Sequence, residues 1–256
     1  MGEGWSVAEV VCSHGPGDRP YEEQHHLAML AVVLRGSFKY RAAAGTALLS
    51  PGALMLGWPK RSFECSHEHG VGDHCLSFHF APEYLERIGV EGWAAAPRIP
   101  PLAALAPGVA RARVAAARPA GTAWEELGLG LVAAALQAVP GPAARAGRRP
   151  PSAADERRVS LTLRAIEADL DSPLKLETLA GAVKMSPFHF LRVFRQVVGV
   201  TPRQYIVRSR LREAAARLRT GAAPVQQVAL EAGYGDLSHF HHAFAAEFGT
   251  SPRGFH

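Results

Sequence analysis

The sequence predicts an α+β chain of two domains, a β-barrel or sandwich with following helices over residues 1–139 and an all-α domain over 159–256. Three observations predict it. Residues 1–81 break into short apolar runs about ten residues apart, separated by Gly and Pro, as in small barrels and sandwiches. Residues 140–158, PGPAARAGRRPPSAADERR, lack hydrophobic periodicity and read as an exposed linker. Beyond it, apolar stripes recur with a 3.6-residue period, broken at Pro187, Gly199, Pro202, Gly221–Pro224, Gly233 and Pro252.

The strand candidates in order are LAMLAVVL (27–34), SFKYRA (37–42), TALLS (46–50), ALMLGW (53–58) and CLSFHF (75–80). Residues 82–95 and 122–139 read as helices, the second opening on an N-cap candidate, Thr122, with Glu125 three residues on. In the last 105 residues about seven helices are expected. Their stripes begin with Leu161, Leu163, Ile166 and Leu170 and end with Phe240, Phe244 and Phe248.

Composition narrows the function classes. The 48% hydrophobic and 20% charged content is that of a globular chain. No apolar run approaches the roughly 18 residues of a membrane span, and Glu3, Glu9 and Asp18 interrupt the start, so neither an anchor nor a signal peptide is expected. Three cysteines, an odd number, speak against a secreted disulfide scaffold and for a reducing cytoplasm. The net charge of +5 is unevenly spread. Lys184 to Arg219 holds nine basic residues against the single acid Glu213, so +8 sits in 36 residues and the other 220 carry −3. Such a segment is either a solvated basic face or a polyanion footprint.

Inside that region a pattern occurs twice. LETLAGAVKMSPFHFLRVFRQVVGVTP (176–202) and VQQVALEAGYGDLSHFHHAFAAEFGTSP (225–252) each carry an apolar-Ala pair, Leu179-Ala180 or Val228-Ala229, and then a small turn. A serine follows as the expected cap of the next helix, Ser186 or Ser238. Apolar positions four apart come next, Phe190 and Phe194 or Phe240 and Phe244, and each copy closes on Gly-x-[ST]-Pro. Two matched copies joined by a basic helix read as two helix-turn-helix units, whose second helices enter major grooves.

These motifs, with Gly-Val-Thr-Pro-x-x-Tyr (199–205), Arg210-Leu211, Ala214, Gly233-Tyr234 and Phe248-Gly249, resemble the AraC/XylS family of bacterial transcription regulators over residues 157–256. The resemblance implies two recognition helices on a linker helix, entering successive major grooves of double-stranded promoter DNA. By position the first presents Phe188, His189, Leu191 and Arg192, with Arg195 nearby, and the second Ser238, His239, His241 and His242. It also implies a cupin-like N-terminal β-barrel that binds an effector and helps form a homodimer, an activator's contact with RNA polymerase, and a cytoplasmic location. EEQHH (22–26), Gly36, Gly45 and Pro51-Gly52 resemble a degenerate cupin pattern. Leu127, Leu131, Ala134 and Ala135 mark a dimerisation face on helix 122–139, with packing against the barrel as its alternative.

The chain departs from the family where His242 and Ala245 stand in place of basic residues, and Gly-Phe-His (254–256) replaces a usual Tyr-Arg ending. From Thr220 onward one Arg faces three acids, a net −2. The first unit is therefore expected to supply most electrostatic affinity, and the second a weaker or pH-dependent share through its histidines. Arg203, Arg208 and Arg212 are the candidate phosphate contacts on the linker helix.

FECSHEHGVGDHCLSFHF (63–80) holds two of the three cysteines and four of the twelve histidines, a ligand set for a transition metal. Cys65, His67, His69, His74 and Cys75, with His26 upstream, are the candidates, and Cys12-x-His14 adds further donors. Were 62–69 and 74–80 to form a hairpin around Gly70–Asp73, His69 would face His74 and Cys75 would point away from Cys65. A one-residue slip would gather Cys65, His67, His69, Cys75 and His79. The alternation of Leu76, Phe78 and Phe80 favours the first register. Ordinary half-buried polar residues, a metal site, and a thiol redox or electrophile sensor at Cys65 or Cys75 all remain open. Two other functional classes stand beside the regulator: a metal-dependent cupin enzyme with a helical appendage, and a constitutive regulator whose N-terminal domain is purely structural.

Overall fold

A computed structural model describes residues 2–20, 22–67, 72–90, 96–139, 151–221 and 223–255. Nine strands lead: β1 Trp5–Cys12, β2 Glu22–Gln24, β3 Ala28–Gly36, β4 Phe38–Ala42, β5 Gly45–Leu49, β6 Leu54–Gly57, β7 Ser62–Ser66, β8 Asp73–Phe80 and, after helix α1 (Pro82–Arg87), β9 Arg98–Ile99. They form one sheet of order β1-β8-β3-β6-β9 and a second of order β2-β7-β4-β5, with every pairing antiparallel. Among the described residues the sheets stay separate, so the expected barrel is a sandwich. The expected hairpin is absent as well, because β7 pairs with β2 and β4 while β8 lies between β1 and β3 in the facing sheet.

Strand β3, AMLAVVLRG, is buried from Ala28 to Leu34, as a strand covered on both faces must be. Leu30, Val32 and Leu34 point with Leu76, Phe78 and Phe80 into a core shared with two helices, α2 (Ala106–Ala117) and α3 (Trp124–Ala138). Met29, Ala31 and Val33 point the other way, towards Phe38, Tyr40, Leu49 and Cys75. The result is three layers, second sheet on first sheet on helices.

Helix α3 differs from expectation at its cap, and of the two readings of its apolar face the chain takes packing against the sheet. Its N-cap is Ala123 without a side-chain bond, so Thr122 does not cap it. Leu127, Leu131 and Ala135 are buried against the first sheet, with Ala134 packed beside them. The face assigned to dimerisation is thus occupied within the chain. Residues 91–95 of the expected helix 82–95 lie outside the described residues, and α1 closes at Arg87.

The C-terminal region is all-α: α4 Ala153–Ala168, α5 Leu176–Ala182, α6 Pro187–Val198, α7 Pro202–Thr220, α8 Val225–Glu231, α9 Leu237–Phe248 and a 3-10 turn at Pro252–Gly254. Residues 153–158, assigned to the linker, form the first turns of α4, whose N-cap is Ser152; residues 140–150 lie outside the described residues. Caps fix the remaining boundaries. Ser186 Oγ accepts from His189 N, and Thr201 and Gln204 make a reciprocal capping box on α7. Left-handed glycines at 199, 221 and 249 end α6, α7 and α9. Phe190, Phe194 and Tyr205 fill one core, and Leu211, Phe240, Phe244 and Phe248 the other. Burial of each such aromatic contributes about 1.5–3 kcal/mol. No described helix is long and apolar enough to cross a membrane.

The two regions are joined through polar and apolar contacts. Ala106 and Ala110 of α2 enter the second helical core beside Leu211 and Ala215, while Val109 and Ala112 of the same helix face the sandwich. Arg98 is half-buried, and its guanidinium bonds the carbonyls of Leu48, Val197 and Val198. Burial lowers its pKa to about 10, which leaves it cationic at neutral pH. Lys39 pairs with Glu156 at 3.0 Å, and Arg113 with Glu213.

Candidate nucleic-acid interface

The sequence of α6 alternates its faces at helical spacing. Phe190, Val193, Phe194 and Val197 are buried, which turns Phe188, Arg192 and Arg195 outward at i, i+4 and i+7. Phe188 is 80% exposed, an unusual position for a large apolar ring. His189 and Leu191 are half-buried, and Leu191 lines a cleft between the two helix-turn-helix units. Ser186 is the exposed cap itself.

Helix α9 repeats the arrangement fifty residues later. Phe240, Phe244 and Phe248 are buried, so Ser238, His242 and Ala245 occupy the outward positions that correspond to Phe188, Arg192 and Arg195. His239 is exposed and meets the Tyr234 ring edge-on, while His241 is half-buried against Phe240. The expected cap Ser238 lies inside the helix. Asp236 is the N-cap, its Oδ1 accepting from His239 N at 2.8 Å. A cap accepts from N2 or N3, and the aspartate two residues earlier in the sequence was the available signal.

The basic run divides into two populations. Lys184, Arg192, Arg195 and Arg203 are exposed. Arg208, expected to contact phosphate, instead donates to Pro101 O at 2.9 Å and pairs with Glu247 at 3.3 Å. Arg212, also expected there, is 5% exposed and donates to Ser209 Oγ at 2.7 Å. Arg210 donates to the carbonyls of Leu170 and Ser172, and Arg217 pairs with Glu231. Four of the nine basic residues, Arg208, Arg210, Arg212 and Arg217, are therefore engaged within the chain. Charge patterning cannot reveal this, because Arg presents the same charge to a carbonyl as to a phosphate.

In the sandwich, Cys12, Cys65, His67, Asp73, Cys75 and His79 line a cavity of about 240 Å³ between the two sheets. Cys65 and Cys75 share it because β7 and β8 face each other, not because they pair. His74 is on the opposite face of β8, bonded to Glu9 at 2.6 Å, and His26 is exposed away from the cavity. His69 lies outside the described residues. Neither His74 nor His26 joins a ligand set with Cys65. Burial pushes the Cys65 thiol up to about 12 and that of Cys75 well above its usual range, with Asp73 adding to both. Both are held as thiols, the unreactive form, which weighs against a thiolate sensor at either position. His25 is buried, stacked on Phe63 and bonded to the Tyr40 hydroxyl at 2.8 Å, a structural role.

Comparison with known proteins bears on the helical part. A family model described as a helix-turn-helix domain matches residues 179–256. The chain is 35% identical over 97 residues to the HTH-type transcriptional regulator AlkR of Acinetobacter baylyi, covering 38% of this chain and 32% of AlkR. It is 39% identical over 77 residues to the RCS-specific HTH-type transcriptional activator RclR of Escherichia coli K12, covering 30% and 27%. The chain thus spans about a third of the length of the curated relatives it matches. Among solved structures, ToxT of Vibrio cholerae with bound unsaturated fatty acid aligns over 98% of this chain and 94% of its own, at 10% identity and a TM-score of 0.36.

Proposed function

Residues 179–256 match a helix-turn-helix domain, and we propose that this domain is of the AraC type and that the chain is a sequence-specific transcriptional regulator of double-stranded promoter DNA. The observation that carries the proposal is the matched outward faces of α6 and α9 (Phe188, Arg192 and Arg195 against Ser238, His242 and Ala245) on either side of α7. Helix α7 has 19 residues and is about 28 Å long, comparable to the 34–36 Å between equivalent major-groove positions. Each recognition helix enters one of two successive grooves. Arg192, Arg195 and Arg203 contact phosphate or base edges, and Phe188 packs on thymine methyl groups. The second unit reads with Ser238, His239, His241 and His242 and adds less electrostatic affinity.

The sandwich modulates this reader as a sensor domain, because Arg98 and α2 tie it directly to α6 and α7. Contact with RNA polymerase, assembly as a homodimer and a cytoplasmic site of action complete the reading. The enzyme alternative is not favoured, since the matched domain and the relatives are transcriptional regulators. Genome-wide selection of duplex fragments by the purified chain tests the proposal. Enrichment of a motif whose two halves lie one helical turn apart is expected, and fragments with no common sequence would overturn it.

A further inference from the structure

The cavity between the sheets joins two donors that the sequence singled out, Cys12 and His67, to one that it did not, Asp73. Sγ of Cys12, a ring nitrogen of His67 and a carboxylate oxygen of Asp73 all lie within 4.8 Å of one another. The three come from separate strands or their ends: Cys12 closes β1, Asp73 opens β8 as its register partner, and His67 follows β7 in the facing sheet. We propose that Cys12, His67 and Asp73 form a binding site for a divalent transition metal of the zinc class.

The backbone holds two of the three donors in place. Gly72 adopts φ +71, and a Cβ there would meet Cys12 O at 2.4 Å. Only glycine permits so close an approach, and Gly72 N donates to His14 O at 2.8 Å to lock it. The Cys12 and Asp73 side chains are therefore presented to the cavity from a fixed pair of strand ends. His67 is 6% exposed, and its Nε2 is 2.6 Å from Asp73 Oδ1. Metal entry replaces that hydrogen bond with two coordinate bonds, its proton moving to the other ring nitrogen of His67 by way of solvent, and displaces the Cys12 proton to solvent. Bond lengths of about 2.0–2.3 Å place tetrahedral ligands about 3.3–3.8 Å apart, so His67 and Asp73, now 2.6 Å apart, separate and Cys12 approaches, each by about 1 Å or less. One thiolate, one imidazole and one carboxylate suit zinc, cobalt or nickel and not calcium or magnesium, which take oxygen donors. His14, whose Nδ1 is 3.2 Å from Cys12 Sγ, is within reach of the fourth position. Cys75 donates to Asp73 Oδ2 at 3.1 Å and orients the carboxylate from behind.

Metal binding is independent of the regulator reading and is measured without DNA. The full chain, stripped with chelator, is titrated with Co²⁺ and then Zn²⁺. One equivalent of Co²⁺ with a thiolate-to-cobalt charge-transfer band, displaced by Zn²⁺, is expected. Cys12→Ser should abolish the band and Cys75→Ser keep it. His67→Gln, which preserves a hydrogen bond to Asp73, and Asp73→Asn should each weaken Zn²⁺ about tenfold or more. Circular dichroism of each variant reports whether it folds, and two of the three ligand variants suffice. No band in the wild-type chain, a band that survives Cys12→Ser, or Co²⁺ bound without sulfur character at the exposed His239 and His242 would overturn the proposal.

Discussion

The Arg98 guanidinium donates Nη2 to the carbonyl of Val197 at 2.5 Å, so a residue of the sandwich caps the C-terminal end of a recognition helix. The last carbonyls of a helix lack partners within it and attract a cation, and Nη1 takes a second of them, Val198 O, at 3.1 Å. Gly199 makes room for this contact: it adopts φ +92, and a Cβ there would meet Pro100 Cγ at 2.5 Å. Arg98→Met keeps the apolar stem and removes the donors. A loss of about 2–4 kcal/mol is expected from three orphaned carbonyl contacts. Thermal unfolding should register it as a Tm lower by roughly 5–15 °C, and an unchanged Tm would show that the cap is dispensable.

Arg192 and His242 occupy equivalent outward positions with unequal charge. Arg192→Ala should weaken binding to a selected duplex about 5- to 100-fold and lower the log–log salt slope by about 0.9. His242→Ala at pH 8 should do neither to a comparable extent. Fluorescence anisotropy across a salt series measures both, and equal losses would remove the asymmetry between the units.

Arg212 separates internal from external use of the basic run. Its guanidinium is buried over the Tyr205 ring at 5.9 Å, and a Cβ at Gly52 would meet its Nη1 at 2.8 Å. Arg212→Leu should destabilise the fold by about 2–4 kcal/mol and leave the salt slope of DNA binding unchanged. A slope lowered by about 0.9 would restore Arg212 to the phosphate contacts.

His25 sets a pH window. Burial, with His79 and His26 nearby, lowers its pKa from 6.5 to about 4. Between those values the unfolded chain binds the proton and the folded chain does not, so stability falls as pH drops from about 6.5 to about 4. The slope from this residue approaches at most about 1.4 kcal/mol per pH unit. Denaturant unfolding at several pH values measures it, and His25→Gln should flatten the curve over that window.

The helical repeat was legible because its signals are local. Caps, glycine terminators and apolar spacing lie within a few residues of the elements they specify, and Ser186, Gly199 and Phe190 fall as read. The five apolar runs likewise became β3, β4, β5, β6 and β8. What failed was non-local. Alternation in FECSHEH and DHCLSFHF tells which residues share a face, but not that the strands belong to different sheets. Helix α2, APGVARARVAAA, has too little contrast between its faces to declare itself, because it is covered on two sides. Asp73 escaped notice as a ligand because a lone carboxylate beside a turn carries no spacing signal. Arg208 and Arg210 of α7 read as a surface because their partners are backbone carbonyls more than thirty residues away.

Helix α2 places Val109 and Ala112 in one core and Ala106 and Ala110 in the other. A helix anchored in this way cannot be released from one half of the chain while the other stays intact, since unwinding it empties both interiors at once. The architecture has two domains, but melting should be a single event, with one calorimetric peak whose van't Hoff and calorimetric enthalpies agree. The same sharing makes α2 a lever. A shift of the first sheet, to whatever it responds, moves the floor on which α7 and both reading helices rest.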